Sequence, residues 1–320
     1  MDQKKLKIVF LSRYLGKVNR GAETYVLELS KRFKKNHEVE IFTGKESDNL
    51  VKIISGKFDL VIPTNGRVQA LKISLGRVLG GYKTLISGQS GIGRDDIWNI
   101  AVTFPDVYVA LTEAEFLWAK RWAWKSKIVK IPNGVDLEKF SPEGSKISLD
   151  LQRPIILSVG ALEWYKHHER IIQAVTKIKQ GSLLIIGSGP EREKLLRMGR
   201  KLLGEKRFLI QDVEYKEIAK YYRSADIFTL PSWDREAFGI VYVEAMASGL
   251  PIVAPDDLAR KEIIGKAGIL TDVSNIEKYS VAILKTLSQK WDNLPMEQAE
   301  KFSWEKVSES YQKLFEEMFK

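Results

Sequence analysis

Short apolar runs alternate along the chain with longer stretches whose apolar positions recur every three or four residues. The runs at 7–11, 39–43, 60–63, 83–86 and 107–111, and again at 155–160, 182–186, 208–213, 226–231, 252–254 and 268–271, have the length of strands. Most carry no polar alternation, as a parallel strand covered on both faces requires. The helical pattern is clear at Gly21–Ser30, where Ala22, Tyr25, Val26 and Leu29 share one face. Further helices are expected at 113–124, 167–175, 215–225, 238–248, 276–289 and 307–319, the one at 238–248 stopped by Gly249 and Pro251. Strands alternating with helices in this way predict an α/β fold with parallel sheets.

The 320 residues, 44% of them hydrophobic, suit two such domains of about 150 residues each. A breaker-rich stretch from Ser141 to Gln152, holding Pro142 and Gly144 and followed by Pro154, is the expected linker. The domains are therefore expected at 1–142 and 143–304. No segment approaches 18 uninterrupted apolar residues, so no transmembrane helix is expected. The polar start runs straight into Ile8-Val-Phe-Leu11, which is unlike a signal peptide. The absence of cysteine rules out disulfides and thiolate metal sites and fits a cytoplasmic protein.

The net charge of +10 is uneven. Residues 1–140 hold 24 Lys and Arg against 15 acids, or +9; the remaining 180 hold 27 against 26, or +1. A basic N-terminal half suggests an anionic partner there, such as a membrane surface or a phosphorylated acceptor, or else a merely soluble basic surface. No nucleic-acid-binding motif accompanies the charge. In the stretch 113–124 Trp118, Trp122 and Trp124 interleave with Lys120 and Arg121. That pattern fits an interfacial helix or a core helix whose cations reach past the aromatics.

Candidate chemistry concentrates at Ser232-Trp-Asp-Arg-Glu-Ala-Phe-Gly-Ile-Val-Tyr-Val-Glu-Ala-Met-Ala-Ser-Gly-Leu-Pro251. A strand precedes it and a helix follows, so it places a loop and a helix N-terminus at the C-terminal edge of a parallel sheet. Ligands of open α/β sheets bind at that edge, and free N–H groups at a positive dipole end suit a phosphate. Glu236 lies in the loop; Glu244 lies within two turns of the helix start, roughly 9 Å along the axis. The pair can grip two points of an extended ligand. It can equally be an N-terminal acid and a solvated helix glutamate. Asp95-Asp96 reads as a solvated loop acid, and no Asp-x-Asp occurs. His37, His167 and His168 lack metal-ligand spacing.

The longer string Leu-Pro-Ser-x3-Glu-Ala-Phe-Gly-x4-Glu-Ala-Met-Ala-x-Gly-Leu-Pro-Ile-Val-Ala, from Leu230 to Ala254, resembles the Glu-x7-Glu motif of the retaining GT-B glycosyltransferases of family 4. Ala237 stands where the family usually has glycine. Pro132-Asn-Gly-Val-Asp136 is similar to the string that precedes the interdomain linker in these enzymes, and Gly187-Ser-Gly-Pro190 to their Gly-x-Gly-Pro segment. The segment Gly160-Ala161-Leu-x3-Lys166 is similar to their Gly-Arg-Leu-x3-Lys, with Ala161 replacing the arginine.

The resemblance implies two Rossmann-like domains facing a cleft, with the last helix, about 305–320, packing back onto the first. It implies transfer of a sugar from a nucleotide-sugar donor, UDP- or GDP-linked, to a glycan or lipid-linked acceptor in cell-envelope or polysaccharide synthesis, without metal or other cofactor. Glu236 and Lys166 would be the catalytic pair, Lys166 stabilising the leaving diphosphate. Backbone near Phe238 and Gly239 would hold sugar and phosphate, Glu244 the ribose and Val213 the base. Gly21, Gly160, Ala237 and Val241 complete the implied donor set. Arg20, Gln89 and Arg94 are the acceptor-side candidates, with Arg20 and Arg94 also candidates to replace the lost arginine. Relatives often carry a histidine where this chain has Gly88 and Gln89. The implied location is cytoplasmic, peripheral at the inner face of the membrane. A non-catalytic donor-binding scaffold and a nucleotide-sugar epimerase remain open as alternatives.

Overall fold

A computed structural model describes residues 4–17, 21–64, 66–233 and 236–320. The chain forms two compact units, Met1–Gly134 with Trp304–Lys320, and Val135–Ser303. The first unit runs β1 (Lys7–Ser12), α1 (Gly21–Phe33), β2 (Glu38–Thr43), α2 (Leu50–Ser55), β3 (Leu60–Pro63), α3 (Gly66–Gly80), β4 (Lys83–Ser87), α4 (Arg94–Ala101), β5 (Val107–Ala110), α5 (Glu113–Ala119) and β6 (Lys127–Lys130). The second runs β7 (Ile155–Val159), α6 (His168–Thr176), β8 (Ser182–Ile186), α7 (Arg192–Leu203), β9 (Phe208–Gln211), α8 (Ile218–Tyr222), β10 (Ile227–Thr229), α9 (Ile240–Ala247), β11 (Ile252–Pro255), α10 (Leu258–Ile264), β12 (Gly268–Thr271), α11 (Ile276–Ser288) and α12 (Leu294–Ala299). Helix α13 (Trp304–Met318) completes the first unit.

Each unit holds a six-stranded sheet, ordered β2-β1-β3-β4-β5-β6 in the first and β12-β11-β10-β7-β8-β9 in the second. Every strand pairing is parallel. The central strands are fully enclosed: Ile8, Val9, Phe10 and Leu11 in one sheet, Ile156, Leu157, Leu183 and Leu184 in the other, have no exposed surface. That is why these segments read as continuous apolar runs. In α13, Trp304, Val307, Tyr311, Leu314, Phe315 and Met318 fall at helical spacing on one stripe and join the core around Phe10, Tyr25 and Phe33.

Residues 135–142, expected with the first domain, group with the second unit. The Arg223 guanidinium donates to the carbonyls of Lys139 and Ser141 at 2.9 Å each, and the Val135 N–H donates to the Phe302 carbonyl at 2.8 Å. Two expected helices are shorter than their patterns. Helix α8 covers only Ile218–Tyr222 of 215–225, and α5 ends at Ala119, well short of Trp124. Trp118 and Trp122 pack on the cluster of Ile100, Tyr108 and Ala119, while Trp124 is 81% exposed. Two of the three tryptophans therefore pack, half-buried, against the core, as the core alternative expects, and the third faces solvent. No helix among the described residues is long and apolar enough to cross a membrane.

Candidate functional site

In the second unit the chain lays down β7, β8 and β9 to one side and then crosses back to place β10 on the other side of β7. The loops after β7 and β10 therefore diverge at a topological switch point, where open α/β sheets bind ligands. Lys166 comes from the first loop and Glu236 from the second. The Lys166 Nζ donates to Glu236 Oε2 at 2.5 Å, and both side chains are largely shielded, at 14% and 13% exposure. Beside this pair the rings of His167 and Trp233 stack face to face, centroids 3.6 Å apart and 5° from parallel. A charge pair and a ring pair thus join the two loops.

A third group holds the second loop from below. Arg260, on α10, is buried and donates to the carbonyls of Ser232 at 2.9 Å and Glu236 at 3.4 Å. Its own helix begins at Asp257, whose carboxylate caps the Arg260 N–H at 2.9 Å. Sequence reasoning missed both Arg260 and the His167–Trp233 stack. An arginine inside a helical pattern carries no burial signal, and a lone histidine gives no sign of a ring 66 residues away in sequence.

Helix α9 starts at Ile240, two residues later than its pattern suggests, because Gly239 turns the chain with φ of 83°. A side chain at Gly239 would also collide with the Tyr242 ring, its Cβ 2.5 Å from Cδ2. Phe238 is buried edge-on against Phe302, while Ala237 and Val241 are half-buried. The helix N-terminus and its orphan N–H groups sit directly after Glu236.

Glu244 is not the solvated helix glutamate of the bland alternative. It is 3% exposed, and its two oxygens accept from the Tyr215 hydroxyl at 3.0 Å and the Tyr222 hydroxyl at 2.9 Å. Burial pushes its carboxyl above the ordinary range; the two tyrosines and the Lys139 charge pull it back. The Lys139 ammonium lies 3.2 Å from the Tyr215 ring centroid. Gly160 ends β7, its N–H donating to Ile186 at 3.0 Å, and half-buried Val213 follows β9. Buried His168 stands next to Gly160, its ring pushed down to about 4 by desolvation first.

The first unit carries the remaining candidates. Gly21 is exposed at the start of α1, and Arg20 lies outside the described residues. Gln89 is half-buried and tied by two amide hydrogen bonds of 3.0 Å to Asn133 and a third to Ser87 Oγ. Gly88 leaves no room for a side chain: a Cβ there would lie 1.7 Å from Glu115 Oε1. The Glu115 carboxyl fills that space, accepting from Tyr108 Oη at 2.7 Å and from the Leu111 N–H at 2.8 Å. Arg94 is exposed at the N-terminus of α4.

The acids beside Arg94 correct an expectation. They sit in a helix rather than a loop, and Asp96 is 1% exposed, accepting from the Asn99 amide at 3.0 Å. Burial first, and the neighbouring Asp95 charge, push Asp96 up to about 7. Burial first, then the Asp96 charge, push Glu115 up to about 8. Among the described residues no group of three or more His, Asp or Glu is placed to hold a metal.

Two Rossmann-like units of six parallel strands define a GT-B fold. Solved GT-B structures confirm the likeness. Anabaena HepE in complex with UDP matches with a TM-score of 0.81 over 98% of this chain and 100% of that one, at 18% identity. Sucrose-phosphate synthase from Thermosynechococcus elongatus matches with a TM-score of 0.83 over 98% and 99%, also at 18% identity. The chain belongs to the glycosyl transferases group 1 family, whose model matches residues 142–303. The phosphatidyl-myo-inositol mannosyltransferase of Mycolicibacterium smegmatis is 31% identical over 215 residues, 62% of this chain and 55% of that protein. The sulfoquinovosyl transferase SQD2 of Arabidopsis thaliana is 29% identical over 189 residues, 53% and 36%. The chain thus spans about half the length, or less, of these curated relatives.

Proposed function

We propose that the protein is a glycosyltransferase that moves a sugar from a nucleotide-sugar donor to a glycan or lipid-linked acceptor, with retention and without a metal ion. The observation that carries this reading is the Lys166–Glu236 pair at the switch point, directly before the N-terminus of α9. Opposite charges 2.5 Å apart in a shielded place are a pair that a ligand of both polarities can take over. The donor diphosphate would take the Lys166 ammonium and the N–H groups of α9; sugar hydroxyls would take the Glu236 carboxylate. As the bond from the anomeric carbon to diphosphate breaks, Lys166 stabilises the charge that builds on the leaving oxygen. The acceptor oxygen attacks from the same face, and its proton passes to the departing phosphate.

Glu244 would meet the ribose with the hydroxyls of Tyr215 and Tyr222 around it, and Val213 the base. The relatives' names and the UDP in a structural neighbour support a UDP- or GDP-linked donor and an acceptor in cell-envelope lipid or polysaccharide synthesis. Such an acceptor would bring the protein to the cytoplasmic face of a membrane. On the first unit, Gln89 and Arg94 would be the acceptor-side groups, Gln89 lining a small cavity with Thr64, Ser87, Ser90 and Asn99.

Ala161 favours one rival, a donor-binding protein without turnover, because the cation of the related enzymes is missing there. A panel of UDP, GDP, ADP and dTDP sugars, followed by melting temperature and nucleotide release with chelator present, separates the two. One nucleotide class should raise the melting temperature and be turned over. Lys166→Ala should lower turnover by about 100-fold or more. Binding without turnover across a panel of lipid and glycan acceptors would favour the rival, and no binding at all would sink the donor site itself.

A further inference from the structure

We propose that His167 and Trp233 are positioning residues of the donor site. Their stacked rings hold the loops of Lys166 and Glu236 at a fixed spacing after the donor has drawn that ion pair apart. This deepens the donor reading above and rests on it for what the two charges do. The first sign is the backbone. His167 has φ of 54° and ψ of 35°, a left-handed conformation that costs a residue with a large side chain and that glycine or asparagine adopts most cheaply. Strain of this kind persists only where the surroundings hold it, and such positions gather at functional sites.

Helix capping does not account for a histidine here. The residue stands between the turn Trp164–Lys166 and the start of α6, and its side chain makes no capping bond to that helix. Its ring is placed on Trp233 instead. Centroids 3.6 Å apart and planes 5° from parallel bring the two rings into broad van der Waals contact. The ring's Nδ1 also lies 3.5 Å from Glu169 Oε1, so the first turn of α6 helps to aim it. Trp233 is an anchored platform, packed on the core cluster that includes Leu162 and Ile171. The residue before it is pinned as well, the Ser232 carbonyl accepting from Arg260 at 2.9 Å.

The two loops meet through the Lys166–Glu236 pair, the ring stack and a bond from Ser232 Oγ to the Tyr165 carbonyl at 3.5 Å. On the donor reading the first of these is given up: the ammonium turns to the diphosphate and the carboxylate to sugar hydroxyls. The last is at the limit of hydrogen-bond length and makes a weak strut. The stack needs neither exchanged charge. It lies one residue from Lys166 and three from Glu236, close enough to set where both side chains start. Because a shift of about 1 Å can cost a large factor in rate, a contact that outlasts the exchange has a purpose.

The test uses the full chain as His167→Asn, His167→Phe and Trp233→Leu. Asparagine accepts the left-handed backbone without a ring, whereas phenylalanine restores a ring and keeps the strain. Hydrogen exchange is read without ligand, and affinity is read with the panel of UDP, GDP, ADP and dTDP sugars. His167→Asn should leave the melting temperature unchanged or raise it. It should speed exchange at Trp233 and residues 236–239 about tenfold and weaken donor binding about tenfold or more. Trp233→Leu should speed exchange at residues 161–167, and His167→Phe should return exchange and affinity close to wild type. Opposing-loop exchange that both ring-removing variants leave unchanged overturns the proposal. So does faster exchange with donor affinity intact, which would make the stack a structural contact only. A lowered melting temperature with faster exchange throughout the second unit overturns it too, as does affinity that phenylalanine fails to restore. A wild type that binds no nucleotide sugar would sink the transferase reading alone, since exchange reports the coupling of the loops with no ligand present.

Discussion

The two units share one architecture and differ in how they place their charged side chains. In the second, opposite charges meet as an ion pair at the switch point, Lys166 against Glu236, largely shielded but not fully buried, with one ring stack beside them. In the first, Asp96 and Glu115 are buried with no ion pair among the described residues, Glu115 accepting from Tyr108 and lying next to Gly88. An ion pair of this kind can trade each partner for part of a ligand. Buried acids that burial pushes up to about 7 and 8 are held largely by packing and hydrogen bonds, and they shape the unit more than they contact anything. On the function proposed above, the contrast would put the chemistry in the second unit.

The contrast breaks most visibly at Arg260. Replacing it with methionine leaves the carbonyls of Ser232 and Glu236 without their donor in a buried setting, at a cost of about 2–3 kcal/mol. The loss should appear in chemical denaturation and, beyond it, as weaker donor binding with Lys166 and Glu236 unchanged. A stability loss without any effect on donor binding would reduce Arg260 to a core residue. In the first unit Gly88→Ala is the counterpart. Its methyl must displace the Glu115 carboxyl, which costs about 1–3 kcal/mol. Donor-induced stabilisation should survive that change, because the donor residues proposed here all lie elsewhere.

Legibility in the sequence follows the same division. Strand runs such as Ile155–Val159 and Leu183–Ile186 announced both sheets because enclosure on two faces demands unbroken apolar residues. Glu236 and Gly239 stood out as candidates because they sit in one contiguous string whose order carries the information, and Lys166 because of the shorter segment Gly160–Lys166. Arg260 and the His167–Trp233 stack were not, since their partners are distant in sequence. Nor did Asp95-Asp96 reveal that one acid faces water and the next is buried: a helix turns them about 100° apart, and the segment reads as a loop. Thr112-x-x-Glu115 has the spacing of a capping box, a signal that Glu115 is engaged with backbone. It gives no hint of Tyr108 or Gly88.

The buried acids also set a pH dependence. Glu115 titrates near 8 in the folded chain against an ordinary value near 4.5, so above the lower value the unfolded chain has released a proton that the folded chain keeps. Raising the pH therefore favours unfolding. The stabilisation is full below about pH 4.5 and is lost as the pH passes through about 8, with Asp96 adding a parallel loss through about 7. His168 in the second unit acts oppositely: held near 4 against 6.5, it contributes stability above 6.5 that disappears as the pH falls toward 4. Melting temperatures of wild type and Glu115→Gln between pH 6 and 9 test this. The wild type should fall with pH by an amount worth about 2–3 kcal/mol more than the variant. Parallel curves would show that the carboxyl titrates at its ordinary value.

The smallest expected effect lies at Tyr215, where the second unit does bury an acid. Its hydroxyl is one of two that hold Glu244, and Tyr222 supplies the other. Tyr215 is half-buried and lies under the Lys139 ammonium, whereas Tyr222 is fully enclosed. Tyr215→Phe keeps the ring, and with it the cation contact, and removes only one hydrogen bond, a loss of about 1 kcal/mol. Without that donor Glu244 should titrate higher still, so the variant's donor affinity should weaken as the pH is lowered, more steeply than in the wild type. Tyr222→Phe should cost more in stability, because the Glu244 oxygen it leaves unpaired is fully enclosed and has no water to turn to. If Glu244 only fills the core, both variants will lower the melting temperature and neither will alter how donor binding depends on pH. A change confined to Tyr215→Phe would instead mark that hydroxyl as the hinge between a buried acid and its ligand, and would bring Glu244 back to the exchangeable side of the comparison.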